Sequence, residues 1–255
     1  MRSLTALLVL AFTICASPYA RAETVIATLS EKVVEIRSNF VGTELVLFGS
    51  IERDAATVGR AHGYDVVVVV EGPERDIVVW QKERVAGIWV NGKGVEYRDA
   101  PSYYAVLSNR ALEDLSGPPT LKRREIGRDY LSFEMATDAD PETTEIFREA
   151  LLRRKEDRTL YFENPEAVEM LTPRLFMARI PLPANIRTGG YKVQVHVFGD
   201  GALLTTSKLG FWVIKTGFEA AVYNLAHERP LLYGLATVAM AFGVGWLGSV
   251  LFRRN

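Results

Sequence analysis

Two unlike apolar segments bracket the chain, one at residues 4 to 16 and one at residues 231 to 252. The first is too short to span a bilayer as a helix. It follows Arg2 and leads into Ala20-Arg21-Ala22, the small-residue pattern cut by signal peptidase, so residues 1–22 read as a signal peptide and Glu23 as the mature N-terminus. The second holds 22 residues without a charge, enough to cross a hydrocarbon layer of roughly 30 Å. It ends in Arg253-Arg254-Asn255, whereas His227-Glu228-Arg229 before it is balanced. Arginine bias of that kind places the C-terminus in the cytoplasm and the preceding domain on the far side of the membrane.

The expected division is residues 1–22 as signal peptide, 23–215 as the folded domain and 216–229 as a juxtamembrane amphipathic helix. A transmembrane helix over 230–252 and a cytoplasmic tail at 253–255 complete it. Residues 218, 221, 222 and 225 supply the apolar spacing for the amphipathic segment.

Residues 23 to 229 hold 26 of the 30 Lys and Arg and all 31 Asp and Glu, because Arg2, Arg21, Arg253 and Arg254 lie outside. The domain is therefore mildly acidic. With no basic stripe in the sequence, nucleic acid and anionic lipid surfaces are not expected partners. The single cysteine, Cys15, falls in the signal segment, so disulfides, thiolate metal sites and a thiol nucleophile are excluded from the mature domain. No asparagine stands in an N-x-S/T context, Asn164 being followed by Pro165. A disulfide-free domain without sequons fits a bacterial periplasm and an inner-membrane anchor.

Strand signals dominate residues 24 to 97. Lys32 to Arg37 and Glu44 to Ile51 are split by Gly42, and Val66 to Val70 are five consecutive valines, the pattern of a strand buried on both faces. Asp76 to Trp80 is expected to answer that run across Gly72-Pro73. Asn91-Gly92, between Ile88-Trp89-Val90 and Val95-Glu96-Tyr97, predicts a type I′ hairpin turn. Residues from about 101 to 170 read as a helical insertion. Its one clear helix starts at Asp140 as N-cap with Pro141 behind it, and has Phe147, Ala150 and Leu151 on one face and a Glu149–Arg153 pair on another. Arg153-Arg154-Lys155 resembles a phosphate-binding cluster, but cations at a helix C-terminus also complement its dipole, the reading preferred from sequence.

Strands return at Leu175 to Ile180, Tyr191 to Phe198 and Phe211 to Lys215, with a hairpin at Gly199-Asp200-Gly201. Strict alternation turns Val193, Val195 and Val197 inward and Gln194 and His196 outward. Ile180-Pro181-Leu182-Pro183 leading to Gly190-Tyr191 is similar to the corner between two late strands of immunoglobulin-like sandwiches, where a tyrosine opens the strand. The expected fold is thus mainly β: an immunoglobulin-like antiparallel sandwich with a helical insertion, plus one C-terminal transmembrane helix.

Six blocks in order, Ser38-Asn39-Phe40, Glu44 to Gly49, Asp65 to Pro73, Gly87 to Asn91, Ala178 to Pro183 and Leu232 to Thr237, make the chain resemble the putative transmembrane protein family of alphaproteobacteria. The resemblance implies an inner-membrane protein of about this length and topology. It implies no activity and carries over no catalytic residue.

Three histidines restrict the chemistry. His62 stands in Arg60-Ala61-His62-Gly63 with Asp65 nearby, His196 lies on a strand and His227 beside the membrane; no G-x-S-x-G elbow and no P-loop occurs. No catalytic residue, cofactor or metal ligand is therefore assigned. The leading expectation is a binding or accessory domain for another membrane or envelope protein, such as a transporter, with Trp89, Asn91, Tyr103 and Tyr104 as the candidate partner-binding patch. The alternative is a periplasmic metal- or small-ligand-binding protein, or a hydrolase, using His62 and nearby carboxylates. Thr237, Ala241, Gly245 and Ser249 recur every four residues in the apolar helix, a small-residue ridge suited to packing against a second helix or a second copy of the chain.

Overall fold

A computed structural model describes residues 23–37, 39–53, 63–136 and 140–252. Residues 1–22, expected to be a signal peptide, His62 and the terminal arginine pair lie outside the described residues. Three sheets, a helical insertion and one C-terminal apolar helix make up a mainly β architecture.

The first sheet has four strands in the order β1, β3, β11, β10, formed by Thr24–Leu29, Gly42–Glu52, Leu175–Pro183 and Val168–Met170. The second has six, in the order β2, β13, β12, β4, β7, β9, formed by Val33–Ile36, Ala202–Lys215, Gly189–Gly199, Asp65–Glu71, Tyr104–Ser108 and Tyr161–Asn164. Strands from the first third of the chain thus pair with strands from the last third: Leu47 faces Ala178 and Val68 faces Val195. Both sheets contribute to one core containing Leu47, Phe176, Ile180, Val66, Val68, Val193, Val195 and Phe211.

The valine run is buried on both faces, as its sequence predicts. Val66, Val68 and Val70 enter that first core, while Val67 and Val69 enter a second one with Leu115, Leu121, Ile126 and Leu152 from the insertion. Period-two geometry sends alternate side chains to opposite faces, so an uninterrupted apolar strand needs a layer on each side.

Several sequence expectations need correction. The pairing is not wholly antiparallel, since β2 runs parallel to β13 and β9 parallel to β7 at the two edges of the large sheet. The insertion is not helical from residue 101, because Tyr104–Ser108 is β7, paired directly with the valine strand. Its α-helices are α1, Leu112–Leu115, α2, Pro118–Arg123, and α3, Pro141–Glu156, with one 3-10 turn at Arg128–Tyr130. Asp76 to Trp80 does not answer the valine run. It belongs to β5, Glu74–Val85, which pairs with β6, Ile88–Pro101, in a third sheet closed by β8, Glu134–Met135.

Other local readings hold. Asp140 caps α3 by accepting from the Thr143 amide at 2.9 Å, with Pro141 in the first turn. Phe147, Leu151 and Leu152 are its buried residues; no Glu149–Arg153 ion pair forms, and Arg148 meets Glu145 instead. Asp200 and Gly201, at φ 50° and 81°, turn β12 into β13. Tyr191 is buried, stacks on Phe211 at 4.8 Å between centroids, and donates from its hydroxyl to the Arg187 carbonyl at 2.9 Å. Burial pushes this phenol up to about 12.

Candidate functional site

The β5–β6 hairpin is covered at its base and bare at its tip. At the base, Ile77, Val79, Val95, Tyr97 and Ala100 pack with Phe133 and with Phe147 and Leu151 of α3. Toward the tip Trp80, Val85, Ile88 and Trp89 are exposed, Trp89 by 68%. The chain reverses at Ala86-Gly87, whose φ values of 51° and 87° are those a type I′ turn requires, and Val85 pairs with Ile88 across it.

Asn91-Gly92 therefore lies inside β6, not at a turn. A Cβ on Gly92 would fall 2.2 Å from the Glu83 carboxyl carbon, and one on Gly94 would fall 2.7 Å from the Trp80 ring. These glycines serve close cross-strand approach. Asn91 remains exposed and its Oδ1 accepts from Lys82 Nζ at 2.5 Å.

Trp89 and Asn91 thus lie on the open hairpin, but Tyr103 and Tyr104 do not belong to a surface patch. Both are fully buried. They are adjacent in the chain, so their rings enter opposite cores: Tyr103 donates to the Pro181 carbonyl at 2.6 Å, and Tyr104 donates to the Glu125 carbonyl at 2.6 Å while accepting from the Gly127 amide. Burial drives both phenols far above their usual range. In the sequence nothing separates them from Trp89, because the layers that cover them come from residues 121–131 and 162–191.

The histidine chemistry gains no frame. His62 is outside the described residues, and Asp65 is already engaged, accepting from Arg110 Nη2 at 2.5 Å and from Asn109 Nδ2 at 3.2 Å. His196 turns away from the first core as expected, yet it is only 2% exposed because the second core covers that face. Its Nδ1 meets Thr206 Oγ1 at 3.0 Å. Burial first, then Arg124 and Lys208, depress it to about 4, so it is neutral at neutral pH. Among the described residues no three His, Cys, Asp or Glu side chains converge as metal ligands would.

A basic cleft of about 520 Å³ opens between β5, the end of α3 and the loop before β12. Arg75, Lys82, Arg154, Lys155, Arg158 and Arg187 line it, with Asp76 as the carboxylate on its wall. Sequence reading misses it because the cations come from three separate segments of an acidic domain, and only the 153–155 run is visible as a cluster. Arg153, the first of that run, does not line the cleft.

The family model described as "putative transmembrane protein (Alph_Pro_TM)" matches residues 24–254, from β1 through the apolar helix. The chain belongs to this family. No curated protein is similar to it.

In this putative transmembrane protein the segment after β13 is α4, Phe218–Glu228, followed by α5, Pro230–Phe252. Residues Pro230–Leu251 are long and apolar enough to cross a membrane, with a mean hydropathy of 1.7 and no share buried against the rest of the protein. Thr237, Ala241, Gly245 and Ser249 are exposed along α5, and a Cβ on Gly245 would meet nothing within 4 Å. The Thr237 hydroxyl is turned back onto its own helix, donating to the Gly234 carbonyl at 2.8 Å, so that polar group is satisfied within the helix itself, as a membrane span requires.

Proposed function

We propose that this family member is a single-pass inner-membrane protein whose periplasmic immunoglobulin-like domain is an accessory module, holding another membrane or envelope protein through the β5–β6 hairpin. Support for the immunoglobulin-like reading lies in strand order. With β1, β3, β4, β7, β10, β11, β12 and β13 taken as A, B, C, C′, D, E, F and G, the four-stranded sheet reads A-B-E-D and the middle of the six-stranded sheet reads G-F-C-C′, with β2 and β9 added at its two edges. The Tyr191 hydroxyl donating back to the Arg187 carbonyl at the start of β12 supports the same reading, because it matches the tyrosine corner of such domains.

The observation that carries the functional reading is the bare hairpin tip, where Val85, Ile88 and Trp89 leave the fold without a cover. Exposed aromatic and aliphatic side chains grouped on a rigid, paired arm have the composition of interface hot spots. The Trp80 ring packs closely on Gly94 across the two strands, which supports a preorganised arm.

A photo-crosslinking residue placed at Trp89, and separately at Val85, in the full chain within cells is expected to trap the same protein. A control at Ile146, an exposed position on α3, should not trap it. Adducts with lipid alone at both hairpin sites, or equal yields at Ile146, would overturn the reading. Reporter fusions after Thr216 test the topology and should be active only when the reporter works outside the cytoplasm.

A further inference from the structure

We propose that the basic cleft between β5, the end of α3 and the loop before β12 binds the phosphate group of an organic anion, seated on Lys155, Arg154, Arg158, Arg75 and Arg187. The cations are not there to balance one another's neighbours. Among the described residues no carboxylate pairs with Arg75, Arg154, Arg158 or Arg187, although the domain has more acidic than basic residues. A helix dipole accounts for Arg154 and Lys155 in the last turn of α3, but it does not account for Arg75 on β5 or Arg187 before β12. Unpaired like charges held around one concave volume repel one another, and a bound anion relieves that repulsion.

The cluster is also fixed in place. The Asn185 side chain donates to the Arg158 carbonyl at 3.0 Å, tying the loop to the chain leaving α3, and the Tyr191 hydroxyl holds the Arg187 carbonyl. Lys155 Nζ donates to the carbonyls of Pro101 and Ser102 at 3.2 and 3.3 Å, lies 4.9 Å from the centre of the Tyr161 ring, and keeps its third N–H free. Burial first, then Arg187 and Arg158, lower this ammonium to about 8, the mark of a cation lacking a counter-ion.

Several guanidinium forks around one volume suit a group with three or four acceptor oxygens and up to two charges better than a two-oxygen carboxylate. The cleft is of drug-ligand size, far larger than a phosphate ion needs, and Ile77, Trp80, Leu151 and Leu160 furnish apolar wall for the remainder of an ester. Asp76 on the wall disfavours a ligand charged over its whole length. Two sources share this chemistry: a soluble phosphoester and a phospholipid headgroup. Arg75 and Arg187 also line a neighbouring depression bordered by Glu74 and by Lys215, two residues before Gly217 where the chain leaves for the membrane, so a headgroup is within the source set.

The test uses the full chain in a nonionic detergent, with binding followed by calorimetry and by ³¹P line broadening. One arm titrates glycerol 3-phosphate and the other dihexanoyl phosphatidylglycerol, each against sodium chloride at equal ionic strength. Saturable binding is expected in at least one arm, and whichever arm saturates assigns the source. The exposed pair Arg154→Gln and Arg158→Gln together should weaken it at least tenfold without lowering the melting temperature, whereas Arg153→Gln should leave it unchanged. No saturation in either arm, the same response to chloride, or an equal loss in Arg153→Gln would overturn the proposal.

Discussion

The valine strand β4 and the β5–β6 hairpin follow one another in the chain and have similar strand-forming composition, yet β4 is buried on both faces and the hairpin tip is bare. Val66 to Val70 are at most 2% exposed, while Val85 is 54% and Ile88 65% exposed. Their own residues do not decide this. The first sheet and the insertion bring a layer to each face of β4; α3 reaches only the base of the hairpin. Strand propensity selects the local conformation, and distant segments select the burial.

The sharpest way to break this contrast is to place the same charge in both regions. Val68→Asp puts a carboxylate into a dry core with no donor, which should cost more than about 4 kcal/mol and leave no cooperative unfolding transition. Val85→Asp should change stability by less than about 0.5 kcal/mol. Chemical denaturation of the two full-length variants reads both, and a folded Val68→Asp protein would mean that β4 has water on one face.

A smaller effect is expected at Tyr191, where the core of the two large sheets meets the corner hydrogen bond. Tyr191→Ala removes the ring stacked on Phe211 and should cost about 3 to 5 kcal/mol. Tyr191→Phe leaves the ring and strands the Arg187 carbonyl, so about 1 to 2 kcal/mol is expected. If the two substitutions cost the same, the hydroxyl would be the main contribution and the stacking incidental.

Much of the β architecture is legible in the sequence because it rests on side-chain period. The alternation from Val193 to Val197, the Asp200-Gly201 turn, the Asp140 cap and the uninterrupted valines all state their environment locally. What is not legible depends on partners far along the chain. Ala86-Gly87 is the true turn, whereas the stronger turn dipeptide, Asn91-Gly92, is used for cross-strand clearance against Glu83. Tyr103 and Tyr104 look like surface aromatics until residues 121–131 and 162–191 close over them. The basic cleft is invisible for the same reason, since Arg75, Arg158 and Arg187 are assembled only by the fold.

His196 extends the contrast to pH, because it lies on the face of β12 that the second core covers. Its folded value of about 4 is below the 6.5 of an exposed histidine, so between those values the unfolded chain binds the extra proton. Stability is therefore full above pH 6.5 and falls as pH drops toward 4, by on the order of 3 kcal/mol in total. Denaturant midpoints at pH 7 and pH 5 should differ in the native protein, and the difference should shrink in His196→Gln. An unchanged difference would assign the acid sensitivity to carboxylates.

The smallest expected effect on stability is at Trp89, and it separates a fold element from a docking element. A tryptophan that is 68% exposed has little buried area to lose, so Trp89→Ala should shift the unfolding free energy by less than about 0.5 kcal/mol. Trp80, half exposed and seated on Gly94, should cost more, about 1 kcal/mol, because part of its ring is covered. If the tip is a docking surface, crosslinking from Val85 should fall sharply in Trp89→Ala while the melting curve stays in place. The contrast would fail in the opposite pattern, with a lowered melting temperature and an undiminished crosslink, since the tip would then be packed as part of the domain and the partner would be held elsewhere.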